Sequence, residues 1–479
     1  LDMIIFDRAD NKMLPFLNKG TLGVIDYTFA PQYIDSLPAD CFGWVLTYDF
    51  NNDGKYDIFA GTQVSNVKVY RNTSTSAGMS FAVAADPLRS KYNANGNALN
   101  LYIPVNDVPG IGDIDGDGDV DLLTFDVLGS QVEWHKCLSV DSGYSLDTLP
   151  LKLQTYCYGH FYEDANTCTA FVNQTPCGPG LRMAEYQDDA FRELMGKTVH
   201  SGSTLLIIDL DDDQIQDLVV GDVGCNTLYE MWNGGSPGIA SFDSVAGNFP
   251  NYDVPVNVPV FPAAFYMDLD NDGEKDLIAS PNQVGGSVDV KSAWQYRNVG
   301  TTTLPDFRFQ KENFLQDGMI EMGTGSAPVF FDYNDDGLLD LLVGNQSEYG
   351  TGQPSKLKLY RNRGTMGIPE YVLEDDNYLN LTTNPGIENI TPTVGDIDGD
   401  GDMDLFFGDD DGGIYFYENI TTTGTANFVF VTDAYSGISV GTHSAPHLVD
   451  YDGDSDLDLL IGNQRGYIRY YKNTGSATS

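Results

Sequence analysis

Short apolar runs recur along this chain at regular intervals. DLLVGN from Asp340, DLFFGD from Asp404 and DLLIGN from Asp458 are continuous apolar stretches, each ended by glycine and a polar residue, the length of a buried strand. A shorter run precedes each one, often after a proline: PVFF at Pro328, PTVG at Pro392 and PHLV at Pro446. A further run follows that ends in an aromatic-x-Asn turn, as in YRN at Tyr70, YRNVG at Tyr296, YRNRG at Tyr360, YEN at Tyr417 and YKNTG at Tyr471. A weaker run, FRF at Phe307 or YVL at Tyr371, completes the unit. Four strands per unit with no amphipathic helix among the copies predict one antiparallel sheet per repeat. Sheets repeated in this way pack radially as a β-propeller.

Between the first and second runs lies an acidic segment that occurs seven times: DFNNDGKYD at Asp49, DIDGDGDVD at Asp113, DLDDDQIQD at Asp209, DLDNDGEKD at Asp268, DYNDDGLLD at Asp332, DIDGDGDMD at Asp396 and DYDGDSDLD at Asp450. The shared form is D-x-[DN]-x-D-G-x-x-D, and such a period marks a structural repeat. The opening DMIIFDRADNKMLPFLNKG reads as the post-loop half of another copy, with Asp2 in the place of the last loop aspartate. Counting it gives eight post-loop halves. The expectation is an all-β propeller of eight four-stranded antiparallel blades over 1–479, seven being the alternative, with incomplete first and last blades.

Carboxylates this dense repel one another unless a counter-charge belongs to the structure. Positions 1, 3 and 5 present side-chain oxygens to one point, position 6 turns the chain, position 7 offers its carbonyl and position 9 a carboxylate. Such a hard-oxygen set suits calcium, where zinc or copper would want nitrogen or sulfur. The predicted ligands are Asp49, Asn51, Asp53, Lys55 and Asp57; Asp113, Asp115, Asp117, Asp119 and Asp121; Asp209, Asp211, Asp213, Ile215 and Asp217; and Asp268, Asp270, Asp272, Glu274 and Asp276. In the last three loops they are Asp332, Asn334, Asp336, Leu338 and Asp340; Asp396, Asp398, Asp400, Asp402 and Asp404; and Asp450, Asp452, Asp454, Asp456 and Asp458. About seven calcium sites follow. An EF-hand is excluded at position 12, where it needs Glu and this chain has Ala60, Thr124, Val220, Ala279, Val343, Phe407 and Ile461. Gln214 and Ser455 replace glycine at position 6. Strain there predicts that the Asp209 and Asp450 cages are lost first.

A formal charge of −45, from 70 acidic against 25 basic residues, argues against nucleic acid or an anionic membrane as partner. No apolar stretch reaches the roughly 18 residues of a membrane span. The first residues lack both an initiator Met and a signal-peptide pattern, so an export signal is expected to have been removed or to lie upstream. Six cysteines without a CxxC pair, Cys41, Cys137, Cys157, Cys168, Cys177 and Cys225, favour disulfides in an exported chain over zinc, with connectivity left open. Sequons at Asn72, Asn173, Asn345, Asn380, Asn389 and Asn419 carry little weight in a chain this rich in Thr and Asn.

These loops and turns resemble the FG-GAP/VCBS repeat family, whose propellers include the calcium-binding blades of integrin α-chains. The resemblance covers essentially the whole chain outside 138–200. In detail the chain looks most like exported repeat proteins of Bacteroidota, which often carry a C-terminal domain for type IX secretion. That likeness implies an extracellular or cell-surface protein in contact with export machinery or other surface proteins.

The stretch 138–200 reads as a cysteine-containing insertion, with MAEYQDDAFRELMG from Met183 predicted to form a short helix. Its Tyr156, Tyr158, Phe161, Tyr162 and Phe171 either contact a partner or form a small core of their own. Catalytic signals are weak. The G-x-S-x-G strings at Gly234 and Gly437 sit in turn contexts, and the five histidines show no metal spacing. The expected function is a non-enzymatic, calcium-stabilised binding or adhesion module recognising glycan or protein. The alternative is a carbohydrate-active enzyme or lectin-like accessory with its site on the propeller face.

Overall fold

Each acidic segment joins two antiparallel strands in the computed structural model, which describes residues 2–475 apart from 93–95, 127–130, 165–167, 173–201, 285–289, 349–351, 384–385 and 422. The fold is all-β, a propeller of four-stranded antiparallel blades. Sheet 1 comprises Met3–Asp7, Lys12–Asn18 and Tyr27–Phe29, and sheet 2 comprises Val45–Tyr48, Asp57–Gly61, Val67–Asn72 and Phe81–Ala85. Sheet 3 runs Gly110–Gly112, Asp121–Phe125, Val132–Cys137 and Leu151–Thr155, and is extended by Arg89–Lys91 and Leu99–Asn100. Sheet 4 is Ser203–Ile208, Asp217–Asp222, Leu228–Asn233 and Phe242–Phe249, and sheet 5 is Pro262–Met267, Asp276–Pro281, Trp294–Asn298 and Phe307–Lys311. Sheet 6 is Ala327–Phe331, Asp340–Gly344, Leu357–Asn362 and Tyr371–Asp375, and sheet 7 is Thr391–Gly395, Asp404–Gly408, Ile414–Asn419 and Phe428–Thr432. Sheet 8 has three strands among the described residues, Ala445–Val449, Asp458–Gly462 and Ile468–Tyr471.

The apolar run after each loop is the second strand, and it is the deepest part of its sheet. Asp57–Gly61, Asp121–Phe125, Asp340–Gly344 and Asp404–Gly408 are buried at every position. Their apolar residues therefore need no alternation, because both faces are covered. The glycine that ends the run has a steric cause. A Cβ at Gly344 would lie 2.1 Å from the Ile390 carbonyl oxygen, and one at Gly408 would lie 2.0 Å from that of Ser444, each at the start of the next sheet.

The chain divides into two compact units, Leu1–Met319 and Ile320–Ser479. In the first, the sheets pack in a closed cycle. Met13 of sheet 1 shares a buried cluster with Ile58 of sheet 2, Val69 with Leu122 of sheet 3, Trp134 with Leu205 of sheet 4, and Val219 with Leu277 of sheet 5. Ile278 of sheet 5 then packs with Met3 and Phe16 of sheet 1. Backbone contacts repeat this closure, with Gly23 N donating to Asp270 O at 2.7 Å and Asn18 Nδ2 donating to Leu269 O at 3.2 Å. Between sheets 1 and 5, Arg8 donates to the carbonyl and side-chain oxygens of Asn282 and, at 3.0 Å, to Val105 O. Five sheets thus close within 319 residues, which does not confirm the expected single ring of eight blades. In the second unit, Leu342 and Leu359 of sheet 6 pack on Leu405 and Phe407 of sheet 7, whose Phe406 packs on Leu459 and Ile461 of sheet 8.

Asp2 behaves as its position in the repeat predicts, accepting the Asn18 N–H at 3.1 Å as the last loop aspartates do for their own third strands. The 138–200 stretch departs from expectation in part. It supplies the fourth strand of sheet 3, Leu151–Thr155, and a hairpin, Phe161–Asp164 with Thr169–Val172. Tyr158 and Phe161 are core residues packed among Trp134, Leu205 and Phe242, so neither is a contact surface. Tyr156 donates to Tyr92 O at 3.4 Å, and Phe171 is half-buried. The side chain of Tyr162, Cys177 and the stretch from Met183 lie outside the described residues. Cys168 is bonded to Cys225, tying the hairpin to sheet 4, and Cys157 is also disulfide-bonded, while Cys41 and Cys137 are free and buried. No helix among the described residues is long and apolar enough to cross a membrane.

Candidate metal centres

All seven loops have the same hydrogen-bonded frame. Position 1 accepts the N–H of position 6 on Oδ2: Asp49 from Gly54 at 2.8 Å, Asp113 from Gly118 at 3.0 Å, Asp332 from Gly337 at 2.8 Å, and Asp209, Asp268, Asp396 and Asp450 from their own sixth residues at 3.1 Å. Position 5 accepts the N–H of position 7 at 2.8–3.3 Å in every loop. A chain that folds back on its own carboxylates in this way must enter the left-handed region. It does so at position 6, with φ of 82–99° at the five glycines and 67° and 77° at Gln214 and Ser455.

A second left-handed position is one that the spacing alone does not announce. Position 4 is Asn52, Gly116, Asp212, Asn271, Asp335, Gly399 and Gly453, all with φ between 56° and 80°. The signal lay in the residue types, since Asn, Asp and Gly are those that accept this conformation. The strain at Gln214 and Ser455, on the order of 1 kcal/mol each, belongs to the folded backbone. It lowers stability rather than affinity, so the expected early loss of the Asp209 and Asp450 cages does not follow from it.

Position 9 is a latch. Asp57, Asp121, Asp217, Asp276, Asp340, Asp404 and Asp458 are at most 1% exposed. In each, Oδ1 accepts a third-strand N–H, from Asn72, Cys137, Asn233, Asn298, Asn362, Asn419 and Asn473, at 2.7–2.8 Å. Oδ2 accepts the N–H of position 2 at 2.9–3.4 Å. The same carboxylate therefore closes the loop and ties it to the third strand. Burial pushes up the carboxyls of Asp57, Asp276 and Asp404, to about 6, of Asp217, to about 7, and of Asp121, to about 8. Neighbouring loop carboxylates add to the effect of burial at each of these five.

The structure brings three of the predicted carboxylates together in each of five loops. Carboxylate oxygens of Asp113, Asp115 and Asp117, of Asp209, Asp211 and Asp217, of Asp268, Asp270 and Asp276, of Asp396, Asp398 and Asp400, and of Asp450, Asp452 and Asp454 lie within 4.8 Å of one another. The other two loops carry Asn51 and Asn334 at position 3. Several buried loop oxygens have no donor: Oδ1 of Asp115, Asp119, Asp268 and Asp456, Oδ1 of Asn334, and both oxygens of Asp402. An all-oxygen donor set with buried oxygens that no N–H or O–H reaches fits a hard divalent cation.

Signals outside the loops resolve differently. Asn345 and Asn419 are buried turn residues whose Oδ1 accepts backbone N–H groups, which accounts for two sequons as structural. Asn72 does the same for Ser74. The Gly234 string is a tight turn closed by Ser236 N to Ile239 O at 3.0 Å. His135 is buried against Ser90, its Nδ1 lying 2.8 Å from Oγ.

Residues 332–407 and 396–461 match the model of the FG-GAP-like repeat. The chain matches no curated protein. It is similar to a crystal structure of BBS1N in complex with ARL6DN soaked with lead, at 11% identity and a TM-score of 0.24, covering 92% of this chain and 96% of that one. The mercury-soaked form gives 11% and 0.24 over 95% and 99%. The exotype rhamnogalacturonan lyase YesX gives 13% and 0.22 over 90% and 72%. Likenesses at these scores carry no argument. The loop frame, latch and register of the matched repeats recur in sheets 2 to 5.

Proposed function

We propose that the protein is a non-enzymatic, calcium-stabilised binding module of the extracellular space that recognises glycan or protein. The observation that carries the calcium reading is the sevenfold repetition of one loop frame, five copies of which hold buried oxygens without donors. Calcium supplies the positive charge these oxygens lack. The chain's own residues hold the loop closed through positions 1, 5 and 9, and the latch passes that order to the third strand. The Cys168–Cys225 bridge supports an oxidising compartment.

A binding role is supported by a surface hollow of about 610 Å³ on sheet 5. Trp294 and Phe309, with ring centroids 5.4 Å apart, form its apolar wall, and Lys291, Lys311, Glu312 and Gln316 its polar edge. An aromatic platform with polar edges is suited to a sugar ring or a protein anchor. A glycan array probed in calcium with the intact chain and with Trp294→Ala tests this reading. Binding reduced at least about tenfold in the variant is expected, measured well below its melting temperature because Trp294 also packs on the sheet core. Full retention would move the site elsewhere, and release of reducing sugar would favour the carbohydrate-active enzyme.

A further inference from the structure

The seven loops share one backbone but not one electrostatic surrounding, and the difference lies on the third strand. In each sheet the first apolar residue after position 9 pairs with a third-strand residue, as Leu122 with His135, Leu341 with Tyr360 and Leu405 with Tyr417. The next residue along the third strand therefore stands opposite position 9. It is Arg71, Lys136, Trp232, Arg297, Arg361, Glu418 or Lys472.

In four sheets this residue is a cation that reaches its own loop. Lys136 Nζ lies 2.5 Å from Asp115 and 3.1 Å from Asp117. Arg297 lies 3.1 Å from Asp270 and 3.2 Å from Asp272, and Arg361 lies 3.6 Å from Asp336 and 3.4 Å from Asp340. Lys472 pairs with Asp452 and, at 3.0 Å, with Asp454. Arg71 is drawn instead to Asp147, at 3.0 Å. Trp232 and Glu418 bring no positive charge. Among the described residues, no Lys, Arg or His forms an ion pair with a carboxylate of the Asp209 or Asp396 loop, nor of the Asp49 loop, whose predicted ligands include only three carboxylates against four and five in the other two.

We propose that this third-strand residue sorts the loops by their affinity for divalent cations. Lys136, Arg297, Arg361 and Lys472 are counter-ions that a metal must displace or sit beside, so the Asp396 loop, facing Glu418, and then the Asp209 loop, facing Trp232, fill first. The inference rests on the calcium reading above. A carboxylate already paired with an ammonium or guanidinium has part of its repulsion relieved, and an entering cation both loses that pairing and meets a like charge. The Asp396 loop has the opposite balance. Asp402 is 8% exposed, neither of its oxygens has a donor, and the charges around it are the carboxylates of Asp396, Asp398, Asp400 and Asp404. No other described site combines five loop carboxylates, a further acid across the sheet and no pairing cation.

Isothermal titration of the intact chain with calcium, in wild type and two variants, tests the inference. Glu418 is exposed and the Lys472 side chain is 44% exposed, so neither change disturbs the core. Circular dichroism of the calcium-free forms checks that. Glu418→Lys is expected to remove one site from the tight class, weakening it about tenfold or more, and Lys472→Gln to move one site towards that class by a similar factor. Variants that bind calcium with the wild-type distribution of affinities would overturn the inference and leave the calcium reading intact. Failure of every form to take up calcium at millimolar concentration would overturn both.

Discussion

The loops at Asp113 and Asp396 differ in sequence only at their eighth residue, Val120 against Met403, yet they sit in opposite electrostatic settings. Their backbones agree: Gly116 and Gly399, then Gly118 and Gly401, donate to the two oxygens of position 1, and both position 9 carboxylates are latched at either end. Across the sheet, however, Lys136 reaches into the first loop, whereas Glu418 faces the second. Asp119 has one oxygen on the Val140 N–H at 2.9 Å, while Asp402 has none engaged. The nine-residue motif therefore specifies the shape of the loop. On the proposal above, how firmly it holds a cation is set by a residue on another strand.

The comparison breaks most sharply at the latch. Asp121→Ala and Asp404→Ala should each leave two backbone N–H groups without acceptors and cost about 3 kcal/mol. Denaturant unfolding of the intact chain should find the two variants equally destabilised. If one were neutral, the two loops would not share a structural role.

A smaller effect sharpens the difference between them. Burial, with neighbouring carboxylates adding to it, holds Asp121 at about 8 and Asp402 and Asp404 at about 6. A carboxyl raised above its unfolded value of about 3.9 destabilises the fold as it ionises. The calcium-free chain should therefore be most stable near the unfolded value and lose stability as pH rises, through about 6 for the Asp396 loop and on to about 8 for the Asp113 loop. Melting curves of the calcium-free chain between these limits should show the decline. Asp404→Asn should flatten its lower part and Asp121→Asn its upper part. Stability that rises over this range would contradict the assignment.

Much of this was legible in the residues themselves. The D-x-[DN]-x-D-G-x-x-D spacing located every loop, and the alternation of short apolar runs gave the four-stranded sheets. The sorting residue was not legible, because the connection between second and third strands varies in length. Leu405 pairs with Tyr417, but Leu341 pairs with Tyr360, and only the register places Glu418 and Arg361 at equivalent points. Closure of the first unit was hidden for a different reason. Met3, Phe16 and Ile278 are ordinary strand residues, and nothing in their type distinguishes a neighbour in sequence from one more than 250 positions away. The fourth strand of sheet 3 was assigned to the insertion because Leu151–Thr155, LKLQT, is short and lies between cysteines.

Calorimetric melting of the intact chain in millimolar calcium and after chelation tests the central claim most directly. An ion that binds only the folded loop contributes about 1.4 kcal/mol per site at tenfold excess over its dissociation constant. Seven such sites should lower the melting temperature by more than about 10 °C when calcium is withdrawn. Superimposable melting curves would show that the carboxylates are balanced without a metal, and would contradict the account.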